Sequence, residues 1–288
     1  CLQAFTSPGA GVVLMTPVYH AFARTIKAAG RRVVECPLAQ EGGRYTLDPD
    51  NWDGLVDAGA EMLILCSPHN PGGRVWSQGE LEEIAAFARR HDLIVVSDEI
   101  HNDLVFPGQR HIVMDKAVPD LRDRLVMMTA TTKTFNIAGA HVGNVIIPDP
   151  ALRARFAASM GALGISPNSF GLAMATAACS PEGAAWVEAL MAYLDGNRRL
   201  FDEGVNALPG VASMPLEATY LSWVDFRGTG LAPDEIIARV EKEAQIATNH
   251  GATFGTGGAG FLRFNLATPR ARVQEAVARL RAAFGDLQ

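Results

Sequence analysis

Four side chains of different chemistry follow four apolar runs, and their types suit one kind of reaction. "RLVMMTAT" leads into Thr132 and Lys133, and "LIVVSDE" ends on Asp98 and Glu99. "EMLILCS" runs into "PHNPGG", with Asn70 at its exit, and "VVLMT" runs into "PVYHAF", with Tyr19 at a helix start. Continuous apolar strands belong to sheets covered on both faces, whose ligands gather beyond the carboxyl ends of the strands. Singly, each residue has a plain use. Lys133 can be a solvated amine, Asp98 a cap or surface ion pair, Asn70 a turn former before proline, and Tyr19 a helix-docking aromatic. Brought to one sheet edge, they combine an amine able to condense with an aldehyde and a carboxylate able to keep a ring nitrogen protonated. They add a polar donor and an aromatic face.

The elements that must position these groups alternate along the first half of the chain. "VVLMT" is followed by the helical "HAFARTIKAAG", the strand "RRVVECPL", a helix near Trp52 and "EMLILCS". Next comes "SQGELEEIAAFARRH", in which Ser77 and Glu80 have capping-box spacing. "LIVVSDE", "RLVMMTAT" and "VGNVIIP" complete a series that predicts an α/β layer architecture. The opening "CLQAFTSPGAGVVLMTP" reads as the end of an amphipathic helix, with Gly9 and Gly11 turning the chain into its first strand. The second half changes character. A helical pattern from about Pro181 to Leu208 ends at Pro209 and Gly210; then come "TYLSWVDF", a helix over Pro233 to Ala244, "GFLRFNLA" and a helix from Pro269 onward. This predicts a large domain over 1–190 and a smaller α+β domain over 191–288, with the boundary inside the long helix.

Composition narrows the function classes. The 288 residues are 48% hydrophobic and 19% charged, as in compact soluble proteins rather than disordered ones. A net charge of -6 supplies no basic field for nucleic acid, and no apolar run reaches membrane-spanning length. The cysteines Cys1, Cys36, Cys66 and Cys179 form no C-x-x-C pair and no metal-ligand spacing, so no metal is expected. Cys36 and Cys66 end strands and are expected as buried free thiols, which suits a reducing, cytoplasmic setting.

The cofactor that uses an amine, a carboxylate, a polar donor and an aromatic face together is pyridoxal 5'-phosphate. "TPVYHAF", "SPHNPGG", "SDEIHNDL", "TTKTFNIAG" and "GFLRFNLATPR" occur in the order found in fold-type-I pyridoxal phosphate enzymes. Over essentially its whole length the chain resembles the class I/II aminotransferase superfamily, and more narrowly its cystathionine β-lyase (carbon–sulfur lyase) branch. The resemblance implies a mainly parallel, seven-stranded type of sheet sandwiched by helices, a small C-terminal domain and a homodimer. It implies Lys133 as the Schiff-base lysine and proton carrier, Asp98 as partner of the pyridine nitrogen and Asn70 as partner of the ring hydroxyl. Tyr19 would stack on the ring. His101, where many relatives have tyrosine, would lie near the same hydroxyl, as in the lyase branch. Arg263 would grip the α-carboxylate of an amino-acid substrate, a task suited to its two parallel donors.

Some positions depart from the pattern. Ala130 stands where relatives often have a phosphate-binding serine, leaving Thr132 as the candidate hydroxyl, and His141 stands where many aminotransferases have an arginine. The resemblance also implies a preceding segment with a glycine-containing helix start that cradles phosphate, and a tyrosine reaching the partner's cofactor. The chain is therefore expected to be an N-terminally truncated form. The expected activity is cleavage of cystathionine- or cysteine-type substrates to a thiol, pyruvate and ammonia. The alternatives are an aminotransferase, which needs the same residues, and a regulatory protein on a degenerate version of the fold.

Overall fold

The computed structural model describes residues 1–287. Among these residues are twelve strands: β1 (Gly11–Leu14), β2 (Arg32–Glu35), β3 (Ala39–Glu41), β4 (Arg44–Thr46), β5 (Ala60–Cys66), β6 (Ile94–Asp98), β7 (Leu125–Thr129), β8 (Asn144–Ile146), β9 (Ala212–Ser213), β10 (Leu221–Asp225), β11 (Asn249–His250) and β12 (Phe261–Asn265). The main sheet has the order β2-β1-β5-β6-β7-β8. Its first five strands run parallel, and β8 pairs antiparallel with β7. The sheet is mainly parallel, as expected, but among the described residues it has six strands rather than seven. Beyond β8, whose three residues are all exposed, no further strand pairs among the described residues.

The apolar runs form strands because both of their faces are covered. Val13, Leu63, Leu65 and Val95 pack with Leu81, Ile84 and Phe87 of the helix Gln78–Arg90 on one face. Val12, Leu14, Met62, Ile64, Val96 and Val126 pack on the other with Phe5, Ile26 and Leu152. The helix Gln78–Arg90 begins with the expected capping box, Ser77 accepting from the Glu80 N–H while Glu80 accepts from the Ser77 N–H. The turn into β1 is made by Gly9 alone, at φ +81°; Gly11 is the first residue of the strand.

The second half folds round its own core. A four-stranded antiparallel sheet, order β11-β12-β10-β9, is covered by the long helix Pro181–Asn206 and the final helix Arg270–Ala283. Phe201, Val205, Val224, Leu262, Phe264, Val273 and Leu280 join in that core. The helix expected over Pro233 to Ala244 is α-helical to Ala238 and then widens into a π-helical turn over Arg239–Glu243. Strand alternation sends Trp223 and Phe261 to the opposite face, where they stack 5.1 Å apart and join the core of the large sheet. Arg263 lies two residues beyond Phe261 and so shares the face turned toward the large sheet.

The hairpin β3–β4, the two-residue strands β9 and β11 and two helices escaped the sequence reading. The hairpin β3–β4 is built from two three-residue strands of mixed polarity, too short for a period to show. The helices Pro150–Ala162 and Ser169–Ala178 bury few residues and carry no clear apolar stripe. No helix among the described residues is long and apolar enough to cross a membrane. No cluster of three or more His, Cys, Asp or Glu side chains among them could hold a metal ion.

Candidate active site

The carboxyl ends of β1, β5, β6 and β7, joined by β12, deliver most of the predicted side chains to one place. Tyr19, Asn70, Asp98, His101, Lys133 and Arg263 all line a single cavity of about 150 Å³, together with Cys66, Ile100, Tyr220, Leu221 and Asn265. Thr132 is buried but lies outside that lining. His141 is exposed, and Ala130 is buried at the N-cap of the short helix Thr131–Thr134 that carries Lys133. The cavity shares Tyr19 and Asp98 with a wider apolar cleft of about 680 Å³. It shares Lys133, Tyr220 and Asn265 with a third space of about 290 Å³ walled by Trp186, Leu190 and Tyr193.

Asp98 owes its position to the ladder around it. It pairs with Cys66 of β5 on one side and Met128 of β7 on the other. The Ser67 N–H donates to its carbonyl at 3.0 Å. Its neighbour Glu99 performs a different task. That carboxylate is 1% exposed, accepts from Ser97 Oγ at 2.8 Å and from the Met114 N–H at 3.1 Å, and lies 2.8 Å from His111 Nε2. Glu99 therefore anchors the loop after β6, whereas Asp98 accepts only from the Ile100 N–H, at 3.3 Å. Burial pushes Asp98 up to about 6, against a smaller downward pull from Lys133. A buried carboxylate with no cationic hydrogen-bond donor of its own is a place for a cation.

His101 follows one turn later and is 5% exposed, its ring edge-on to Tyr220 with centroids 5.7 Å apart. Burial first, and the charges of Lys133 and Arg263 next, push it down to about 3, so it is neutral. Its Nδ1 is buried without a hydrogen-bond partner. Arg263 reaches across from β12, donating from Nη1 to Asn70 Oδ1 at 2.7 Å and from Nη2 to Asn249 Oδ1 at 2.6 Å. Its Nε is buried and unpartnered, and its guanidinium lies 5.9 Å from the Tyr19 ring centroid and 4.9 Å from that of Phe254. Burial lowers its pKa, yet an arginine stays charged under any working condition.

The donor set fits pyridoxal phosphate. A desolvated carboxylate, an amine, a neutral imidazole with an orphaned nitrogen and a desolvated guanidinium face one small cavity. Such groups are costly to bury together unless a ligand completes them. Tyr220 was missed because "TYLSWVDF" reads only as a strand. Its signal lay in the register, since Leu221 pairs with Asn265, which places Tyr220 beside the end of β12.

Residues 1–280 match the profile of the family described as aminotransferase class I and II. The chain belongs to that family. Cystathionine beta-lyase PatB of Bacillus subtilis is 36% identical over 285 residues, a match covering 98% of this chain and 73% of PatB. Protein MalY of Escherichia coli is 32% identical over 282 residues, covering 97% of this chain and 72% of MalY. The crystal structure of cystalysin from Treponema denticola, which contains a pyridoxal 5'-phosphate cofactor, superposes with a TM-score of 0.94 at 38% identity, covering 100% of this chain and 73% of cystalysin.

Proposed function

We propose that this chain is a pyridoxal phosphate-dependent carbon–sulfur β-lyase that releases a thiol, pyruvate and ammonia from cystathionine- or cysteine-type substrates. The observation that carries the reading is the convergence of Asp98, Lys133, Asn70 and Arg263 on one cavity. The relatives support the lyase over the aminotransferase. PatB, a cystathionine beta-lyase, is 36% identical, whereas an aspartate aminotransferase of Pyrococcus abyssi is 28% identical.

The bound cofactor would supply the sink for the electron pair left when the substrate α-proton departs. Lys133 would hold the cofactor and, once displaced by substrate, take that proton. Asp98 would keep the ring nitrogen protonated, a role suited to a desolvated carboxylate that has no cationic hydrogen-bond donor. Asn70 and neutral His101 would face the ring hydroxyl, and Tyr19 the ring. Arg263 would bind the α-carboxylate. Thr132 is assigned to the phosphate on its place next to Lys133 in sequence alone. With the α-proton on Lys133, the electron pair left at the α-carbon would form the Cα–Cβ double bond as the carbon–sulfur bond breaks. The thiolate would leave with its own pair, and water would hydrolyse the released aminoacrylate to pyruvate and ammonia.

The same reading divides the chain into a cofactor-binding domain over 1–190 and a small domain over 191–288, in keeping with a second core built mainly from residues beyond 190, while Met214, Trp223, Phe254 and Phe261 of that segment pack into the core of the large sheet. It makes the protein a homodimer, which the exposed apolar side chains Leu163, Ile165, Phe170, Leu172 and Met174 support. The free thiols Cys36 and Cys66 favour a reducing, cytoplasmic setting. The test supplies cofactor-loaded protein with cystathionine alone, then with an ordinary amino acid and 2-oxoglutarate. Pyruvate and ammonia from the first are expected. Acceptor-dependent turnover of the second, with none of the first, would replace the lyase by an aminotransferase.

A further inference from the structure

Arg263 is gripped from two directions, and the second grip belongs to a residue outside the cavity. Strands β11 and β12 pair antiparallel with Asn249 directly opposite Arg263. Residues so paired project their side chains on the same face, about 5 Å apart. Asn249 Oδ1 accordingly accepts from Arg263 Nη2 at 2.6 Å, while Asn70 Oδ1 takes Nη1 at 2.7 Å. Both acceptors are neutral amides. An arginine side chain has many rotamers to lose, so two such contacts define the plane of its fork before a ligand arrives.

We propose that Asn249 is a positioning residue that fixes the Arg263 guanidinium for a substrate carboxylate without neutralising it. This rests on the reading of Arg263 as the carboxylate-binding residue. The chemical point is the amide. A carboxylate at 249 would stand at ion-pairing distance from Nη2 and compete with any carboxylate ligand for the same charge. An amide orients the donor and leaves the charge available. Asn249 is exposed on the two-residue edge strand β11, so replacing it opens no cavity in a core.

The test compares L-alanine, which has no β-leaving group, with ethylamine, which also lacks the carboxylate. Binding of each to cofactor-loaded protein is read from the cofactor absorbance, for wild type, Asn249→Ala and Asn249→Asp, with thermal unfolding recorded alongside. Asn249→Asp is expected to weaken L-alanine about tenfold or more and leave ethylamine unchanged. Asn249→Ala should weaken L-alanine about threefold, the worth of one ordinary hydrogen bond. With S-ethyl-L-cysteine as substrate, the change should fall on KM rather than kcat. Equal losses for both probes would mean a structural role, and no loss of L-alanine in Asn249→Asp would mean no role; either overturns the proposal. Absence of any wild-type response to L-alanine would instead remove the reading of the site itself, and this inference with it.

Discussion

Arg263 donates from Nη1 to Asn70 Oδ1 across 2.7 Å, joining residues 193 positions apart in the chain. Asn70 leaves the carboxyl end of β5 in the large sheet, and Arg263 stands on β12 in the small one. This bond therefore ties the two sheets together at the cavity that both residues line, beside the Trp223 and Phe261 side chains that pack into the core of the large sheet. It also ties the group expected to face the cofactor to the group expected to face the substrate, so a shift of either sheet would disturb both.

The Arg263 contact has a measurable consequence. Arg263→Ala should raise KM for an amino-acid substrate by about a hundredfold, near the 2–5 kcal/mol typical when one partner of a buried charge pair is removed. Arg263→Lys keeps a charge but loses the planar fork, and should recover only part of the loss. Steady-state kinetics of the two variants decide it, and an unchanged KM in Arg263→Ala would exclude the carboxylate role.

Lys133 should be the residue that holds the cofactor. It is half-buried on the short helix after β7, the strand paired with β6, and lines the same cavity as Asp98. Reduction of cofactor-loaded protein with borohydride, followed by peptide mass spectrometry, should place the label on the peptide containing Lys133. A label on Lys27, Lys116 or Lys242 would contradict the assignment.

Asp98 should leave two signatures. Asp98→Asn should fold, since only one backbone N–H bonds its side chain, yet slow α-proton exchange by about 10²-fold or more. Stability gives the second. Burial raises the folded-state pKa from 3.8 to about 6, so the folded chain keeps this proton to higher pH than the unfolded chain. Raising the pH from about 4 to about 6 therefore costs the cofactor-free protein stability, on the order of 2 kcal/mol. Thermal melts of cofactor-free wild type and Asp98→Asn across that window should diverge in favour of the variant. Parallel curves would refute burial of Asp98 as a source of pH-dependent stability.

Much of this site could be read from the sequence because strand ends are legible. "LIVVSDE" and "EMLILCS" name their own exits, so Asp98 and Asn70 follow from an apolar run and its first polar residues. Lys133 follows in the same way. What could not be read were groups whose place depends on pairing between distant segments. Asn249 and Tyr220 are brought in by the register of β11, β12 and β10, and Glu99 is distinguished from Asp98 only by which side of the strand end it leaves. The missing arginine at 141 was legible as a departure, but the structure leaves His141 exposed and outside the cavity lining.

Asn197 should be a structural keystone of the small domain. It is fully buried in the long helix, and its Nδ2 donates to Leu266 O at 3.0 Å and Thr268 O at 2.8 Å. Its Oδ1 accepts from Arg270 Nε at 3.1 Å. These bonds pin the chain segment that leaves β12 just past Arg263. Asn197→Ala removes both donors, although Leu266 O keeps the Thr268 N–H at 2.9 Å, and leaves the Arg270 Nε without its acceptor, so it should destabilise the protein by about 1–3 kcal/mol. Denaturant unfolding measures this, and a change below about 0.5 kcal/mol would show that water replaces the amide.

His101 should stay neutral throughout the working range, and its effect on stability opposes that of Asp98. Burial, then the charges of Lys133 and Arg263, hold its folded-state pKa at about 3, below the ordinary 6.5. The unfolded chain therefore binds a proton at this residue between about pH 6.5 and 3 while the folded chain does not. Stability contributed by neutral His101 is present above about pH 6.5 and is lost progressively on acidification, up to about 5 kcal/mol by pH 3. Asp98 pulls the other way over part of the same window, and His69, also held down to about 3 by burial, adds to the acid loss. The wild-type curve alone cannot separate them, so the difference between variant and wild type is the measure. His101→Gln, which keeps polarity but cannot titrate, should lose less stability than wild type between about pH 6.5 and 4 in the cofactor-free protein. Its pH–rate profile above about pH 5 should show no missing inflection relative to wild type, because the native imidazole does not titrate there. Loss of a wild-type inflection near about pH 6 to 7 in the variant would mean that His101 gains a proton in the working enzyme, contrary to its desolvated setting.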